Sequence, residues 1–150
     1  MKKKPLLSAA LLFSLLFNIE LKAQEMGLVF ESVDVRMKEV KSGGITGHHR
    51  LYPGKTSDWY ILYDTDTLRI KAQYKLTANN SGRSQTKDSS VKLNINYTVV
   101  YKGRQQERKV EKMFFLDDER KIDGEETFNI TLSKYSNSVI RLGYSGRLTD

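Results

Sequence analysis

The only two imidazoles of the chain, His48 and His49, are adjacent. A zinc site draws three or four ligands from His, Cys and carboxylates. Neighbouring histidines with no acid or thiol close by lack that geometry, so they read as a solvated loop. Carboxylates gather in Asp64-Thr65-Asp66, in Asp117-Asp118-Glu119 and in Asp123-Gly124-Glu125-Glu126. Turns brought to one end of a fold could offer the oxygens of Asp64, Asp66, Asp117 and Asp118 to calcium, a cation that takes roughly six to eight of them. The EF-hand spacing is not present, and strand-end acids ordinarily serve turns. No cofactor is therefore expected, and calcium is the one metal to test.

Aromatic side chains offer a second chemistry. Tyr52, Trp59, Tyr60 and Tyr63 lie within a short stretch, and their faces could stack on a sugar ring or another small ligand. The competing reading is core, because Trp and Tyr in a strand commonly bury the ring and leave the polar atom at an edge. A third group is the basic run Arg104, Arg108, Lys109, Lys112, Arg120 and Lys121, interrupted by Glu107, Glu111 and the acidic trio. A polyanion would meet a mixed field there, and charge on an edge strand also blocks unwanted pairing. Edge protection is the reading adopted.

Catalytic constellations are not found in the sequence. No Gly-x-Ser-x-Gly elbow occurs, and no Gly-rich phosphate loop is followed by Lys-Ser/Thr. Paired-carboxylate hydrolysis needs two acids in environments that separate their pKa values, whereas these acids lie in hydrophilic turns. The chain holds no Cys, which removes thiol nucleophiles, thiolate metal sites and disulfides together. The triplets Asn79-Asn80-Ser81, Asn96-Tyr97-Thr98 and Asn129-Ile130-Thr131 fit the glycosylation sequon, but such triplets often arise by chance.

These groups need elements to position them. Residues 1–23 are laid out as a signal peptide: basic Lys2, Lys3 and Lys4, an apolar run over 6–17, then Leu21-Lys22-Ala23. Cleavage is expected after Ala23, and the run is too short to span a bilayer comfortably. With 25 basic and 18 acidic residues the chain has a formal charge of +7; removing Lys2, Lys3, Lys4, Lys22 and Glu20 leaves 21 and 17, or +4. That is ordinary for a soluble surface and predicts no nucleic-acid partner. An exported chain without cysteine fits a bacterial envelope, periplasmic or extracellular, and must be stabilised by a core.

Residues 24–150 read as one domain of strands. Leu68, Ile70, Ala72, Tyr74 and Leu76 alternate with polar residues, as do Val91, Leu93, Ile95, Tyr97, Val99 and Tyr101. Val33-Val35-Met37, Phe128-Ile130-Leu132 and Ile140-Leu142-Tyr144 repeat the period of two. Residues 59–63 form a shorter, evenly apolar strand, and 110–116 another. About seven strands with one apolar face each predict an all-β antiparallel β-sandwich of immunoglobulin-like type, with a small β-barrel as the alternative. Lys102-Gly103-Arg104 marks a tight hairpin, and Asp123-Gly124 and Ser136-Asn137-Ser138 mark further turns. Residues 41–57 and 77–90 read as long loops, the first able to dock through Leu51 and Tyr52.

The resulting expectation is an exported, non-enzymatic β-sandwich. It would serve as a protein-interaction or structural module of an envelope or secreted assembly, its partner another envelope or secreted protein. Contact would run through an edge strand, with residues 138–145 as the candidate edge, or through a long loop. The alternative is a small-ligand or carbohydrate-binding domain using the aromatic strand or the 41–57 loop.

Overall fold

A computed structural model describes residues 26–78, 90–115 and 120–149. The signal peptide expected over 1–23, the central part of the 77–90 loop, and Asp117 and Asp118 lie outside the described residues. Among the described residues there are nine strands: β1 (Met26–Met37), β2 (Val40–Gly43), β3 (Gly47–Leu51), β4 (Tyr60–Asp64), β5 (Leu68–Ala78), β6 (Ser90–Tyr101), β7 (Arg104–Phe115), β8 (Lys121–Ser133) and β9 (Ser136–Thr149). One sheet runs β2-β1-β9-β8, with β3 also pairing β1 beyond the end of β2; the other runs β4-β5-β6-β7. Every pairing is antiparallel. The two sheets share one core, and among the described residues no ladder closes them into the barrel considered as the alternative.

The long alternations explain why the layers form. Leu68, Ile70, Ala72, Tyr74 and Leu76 of β5 are buried, as are Val91, Leu93, Ile95, Tyr97 and Val99 of β6. Across the core they meet Phe128 and Ile130 of β8 and Ile140, Leu142 and Tyr144 of β9. A strand's period of two puts each set on one face, and burying that face drives the sheets together. Strand order follows the chain around the two layers, with β1 and β9 joining its ends. An immunoglobulin-like sandwich is defined by Greek-key connections, and this meander does not establish that likeness.

Bulges account for much of what the alternation alone does not predict. Phe30 pairs Gly146 and Ser32 pairs Ser145, so Glu31 is an extra residue on β1. It shifts the inward phase from Leu28 and Phe30 to Val33 and Val35. A second bulge at Leu62 of β4 turns both Leu62 and Tyr63 inward while Trp59 and Ile61 face out. β1 and β9 approach closely at Gly146, where an added Cβ would stand 2.1 Å from the backbone oxygen of Val29. Gly146→Ala should therefore force β1 and β9 apart and cost about 1–3 kcal/mol, read as a lower urea midpoint at an unchanged slope.

Several expectations from the sequence are corrected. Nine strands replace about seven, because residues 41–57 are largely paired chain and not a free loop. β2 and β3 lie along β1, Leu51 is buried, and Gly54 N–H and Ser57 N–H donate to the carbonyls of Leu76 and Tyr74 at 2.8 Å. Asp123-Gly124 lies inside β8, where Gly124 faces Tyr144 and a Cβ would come 2.5 Å from its hydroxyl. The last turn is Lys134-Tyr135, not residues 136–138. Residues 138–145 are no edge: β9 is paired on both sides, by β1 and β8. The hairpin at Lys102-Gly103 stands as expected, both residues having positive φ as a type I′ turn requires. β7 is the outer strand of its sheet, in keeping with its charged sequence.

Candidate functional site

β4, β5, β6 and β7 turn one face into the core and the other to solvent. Register lays the solvent face out in rows. Lys75 pairs Asn94 and Asn94 pairs Glu111; Gln73 pairs Asn96 and Asn96 pairs Lys109; Lys71 pairs Thr98 and Thr98 pairs Glu107. Ile61 continues the Lys71 row, and one residue before Tyr60 the same register sets Trp59 beside Gln73. The ring of Trp59 is 44% exposed, in contrast to the buried aromatic residues inside the sandwich. Lys71 Nζ stands 5.7 Å from its centroid, a contact of about 0.5–1 kcal/mol at an exposed site.

Two adjoining clefts mark this face. The larger, about 400 Å³, runs past Thr56, Lys75, Asn94, Lys109 and Glu111; a smaller one of about 110 Å³ lies between Trp59, Asn96, Thr98 and Glu107. Asn96 and Lys109 line both. Lys92 is paired with Glu111 at 2.8 Å, and Glu107 accepts from Gln105 Nε2 at 3.2 Å. Lys75 and Lys109 have no ion-pair partner among the described residues. Among the described residues the face therefore joins one exposed aromatic side chain, three amides and cations with unused donors.

The four aromatic residues singled out in the sequence do not converge. Trp59 alone lies on this face. Tyr63 is buried in the core, and Tyr52 is exposed beyond the end of β3. Tyr60 faces the opposite way from Trp59; its hydroxyl accepts from Arg50 N–H at 2.9 Å and so ties β4 to β3. Asp64 is held by Arg69 through two contacts of 2.8 and 3.1 Å, beside an open cleft of about 540 Å³ that Asp66 also lines. Its oxygens are thus engaged by a guanidinium. Among the described residues no three His or acidic side chains group as metal ligands, and Asp117 and Asp118 lie outside them.

The histidine reading is corrected. His49 is only 5% exposed and points into the sandwich from β3. Its ring stacks on Tyr60 with centroids 4.0 Å apart, meets Phe30 edge-on at 5.0 Å, and Nδ1 lies 3.2 Å from the Tyr74 hydroxyl. Burial, helped by the neighbouring His48, lowers its pKa from 6.5 to about 4. Burial likewise raises Tyr74 well above 10, so this hydroxyl stays protonated and can donate to the neutral imidazole. The only sequence signal was the apolar Leu51 two residues on, which sets the inward phase of β3.

Sequence reasoning also passed over the inward face of β7. Gln106, Arg108, Val110 and Lys112 pair with the inward residues of β6. Lys112 Nζ lies 2.7 Å from Glu126 Oε1 and Arg108 Nη2 lies 3.7 Å from Oε2; Arg108 also donates to the Thr127 carbonyl. Glu126 is 3% exposed. This ion-pair cluster fastens β7 to β8 across the seam between the sheets. No protein-family model matches the chain, and comparisons with curated proteins and with solved structures found no match.

Proposed function

We propose that this protein is a non-enzymatic binding module, exported by its leader, that recognises a ligand on the solvent face of β4, β5, β6 and β7. The observation that carries the reading is exposed Trp59 beside two clefts lined by amides, by Lys75 and Lys109, and by the carboxylates of Glu107 and Glu111. A sandwich of this size buries its aromatics where it can, and a wet Trp rimmed by polar donors resembles the design of ligand sites. The non-enzymatic part rests on the roles found for the residues best suited to catalysis. His49 is packed against Tyr60 and Tyr74, Glu126 is neutralised by Lys112, and Asp64 is held by Arg69.

The test is a thermal-shift screen of saccharides, lipids, calcium and envelope-protein fractions against the wild-type chain and Trp59→Ala. Removing an exposed side chain should leave basal stability within about 0.5 kcal/mol. A ligand that raises Tm for wild type should raise it far less for the variant. A ligand bound equally well by both overturns the assignment of the site.

A second reading keeps the module but makes the partner a protein added at a sheet edge. Its support is β4, the outer strand of its sheet, where Ile61 is exposed beside Trp59 and Ile45 is exposed nearby. Against it, Ile45 N–H already donates to the Leu62 carbonyl at 2.7 Å, which closes part of that edge. Recovery of one envelope protein by wild type but not by Ile61→Lys would favour this reading.

A further inference from the structure

We infer that the ligand of this face is an acidic polysaccharide, its sugar ring stacked at Trp59 and its carboxylates or sulfates met by Lys75 and Lys109. The inference rests on the face being the recognition surface proposed above, and adds the chemical class of what it takes. Three features of this face point the same way.

The first is spacing. Gln73, Asn96 and Lys109 form one row across β5, β6 and β7, and Trp59, one residue before β4, lines a cleft with Asn96 and Lys109. At about 4.8 Å per strand that row is about 10 Å long. An elongated chain fits such a row better than a compact small molecule. The second is the donor set. Asn94 and Asn96, two half-buried residues on the same face of β6, each offer an amide donor and an acceptor. A sugar presents hydroxyls on every ring and matches that pattern.

The third is charge. Lys75 and Lys109 flank the larger cleft without a carboxylate partner among the described residues, and Lys71 stands against the Trp59 ring. A stacked uronic acid or sulfated sugar can displace so weak a contact and take the ammonium for its own charge. Nucleic acid fits less well. Among the described residues this face exposes a single aromatic ring, which supplies only one of the stacks that single strands use.

Trp59 is the only tryptophan of the chain, so its fluorescence reports on this face alone. Polyuronate and sulfated oligosaccharides, a neutral glucan and single-stranded DNA are titrated against the full chain, with calorimetry for the variants. The acidic saccharides should change the emission, and their affinity should fall about tenfold or more on raising salt toward 1 M. Trp59→Ala should abolish detectable heat. Lys75→Glu combined with Lys109→Glu should weaken binding by at least about tenfold, or about 1.4 kcal/mol, at unchanged Tm. Preference for the neutral glucan that is lost in Trp59→Ala overturns the acidic class and leaves the recognition surface standing. Acidic saccharide bound equally well by Trp59→Ala overturns the surface as well. Tighter binding of DNA than of either saccharide, or no response to any probe, also overturns the inference.

Discussion

Lys112→Met is expected to destabilise the fold by about 3 kcal/mol, whereas Glu126→Leu should cost clearly less. The difference follows from which partner is buried. Glu126 is 3% exposed, but the side chains of Lys112 and Arg108 are 29% and 42% exposed. Removing Lys112 leaves a carboxylate inside the sandwich with only Arg108 at 3.7 Å. Breaking a buried pair in that direction costs about 3–5 kcal/mol, and the remaining guanidinium holds the loss near the lower end. Removing Glu126 instead frees two long cations that can turn their heads to water along the seam. The double variant, apolar on both sides, should recover most of the loss, since replacing a whole buried pair is often close to neutral. Urea unfolding at constant slope measures all three, and a 3 kcal/mol loss corresponds to about 10 °C in Tm for a domain of this size. A Glu126→Leu variant weaker than Lys112→Met would mean that β7 and β8 are held together by something other than this cluster.

That seam also shows where sequence pattern stops being informative. β5 and β6 could be read directly because no residue interrupts their alternation and each buries a full face. β7 could not. Arg108 and Lys112 look like solvent residues until register turns them inward, and only the fold brings Glu126 to them. The phase change in β1 comes from Glu31, one surplus residue in an otherwise regular strand, and no glycine or proline announces it. Gly44 misleads in the opposite sense. Its neighbourhood, Ser42-Gly43-Gly44, reads as a loose loop, yet an added Cβ would stand 2.4 Å from Val33 Cγ1 and 2.7 Å from the Leu62 carbonyl. Glycine serves close approach of the two sheets there, so composition and structure point apart.

The aromatic strand is legible by half. Residue types alone marked Trp59, Tyr60 and Tyr63 as a group, but their division between faces is fixed by the bulge at Leu62. A bulge depends on the partner strand as much as on its own residues, and β5 lies beyond a turn. Of the four aromatic residues named as a site, only Trp59 reaches the face with the clefts. The acids divided similarly: Asp64 is occupied by Arg69, five residues on, a pairing that the β4–β5 hairpin creates and that no local spacing rule predicts.

The pH dependence of stability should be dominated between pH 6.5 and 4 by His49. In the unfolded chain its imidazole takes a proton near pH 6.5; in the fold its pKa is lowered to about 4 by burial, with His48 adding to the effect. Over that window the unfolded state binds more protons, so stability rises with pH. It is fully present above pH 6.5, declines on acidification, and is gone below about pH 4. The gap corresponds to roughly 3 kcal/mol. Carboxylates titrate in the same range, so the comparison is with His49→Phe, which keeps a ring against Tyr60 but cannot ionise. At neutral pH that variant should be less stable by about 1–3 kcal/mol, because the buried Tyr74 hydroxyl loses its partner. His49→Phe with Tyr74→Phe removes both polar groups and should restore most of it. The wild-type advantage over His49→Phe should then shrink steadily from pH 7 to pH 4 and vanish or reverse at the acid end. Denaturant melts at each pH decide the matter. An advantage that stays constant across the window would mean that His49 is not held neutral, and that its stack on Tyr60 and its contact with Tyr74 do not close the seam between β3 and β4.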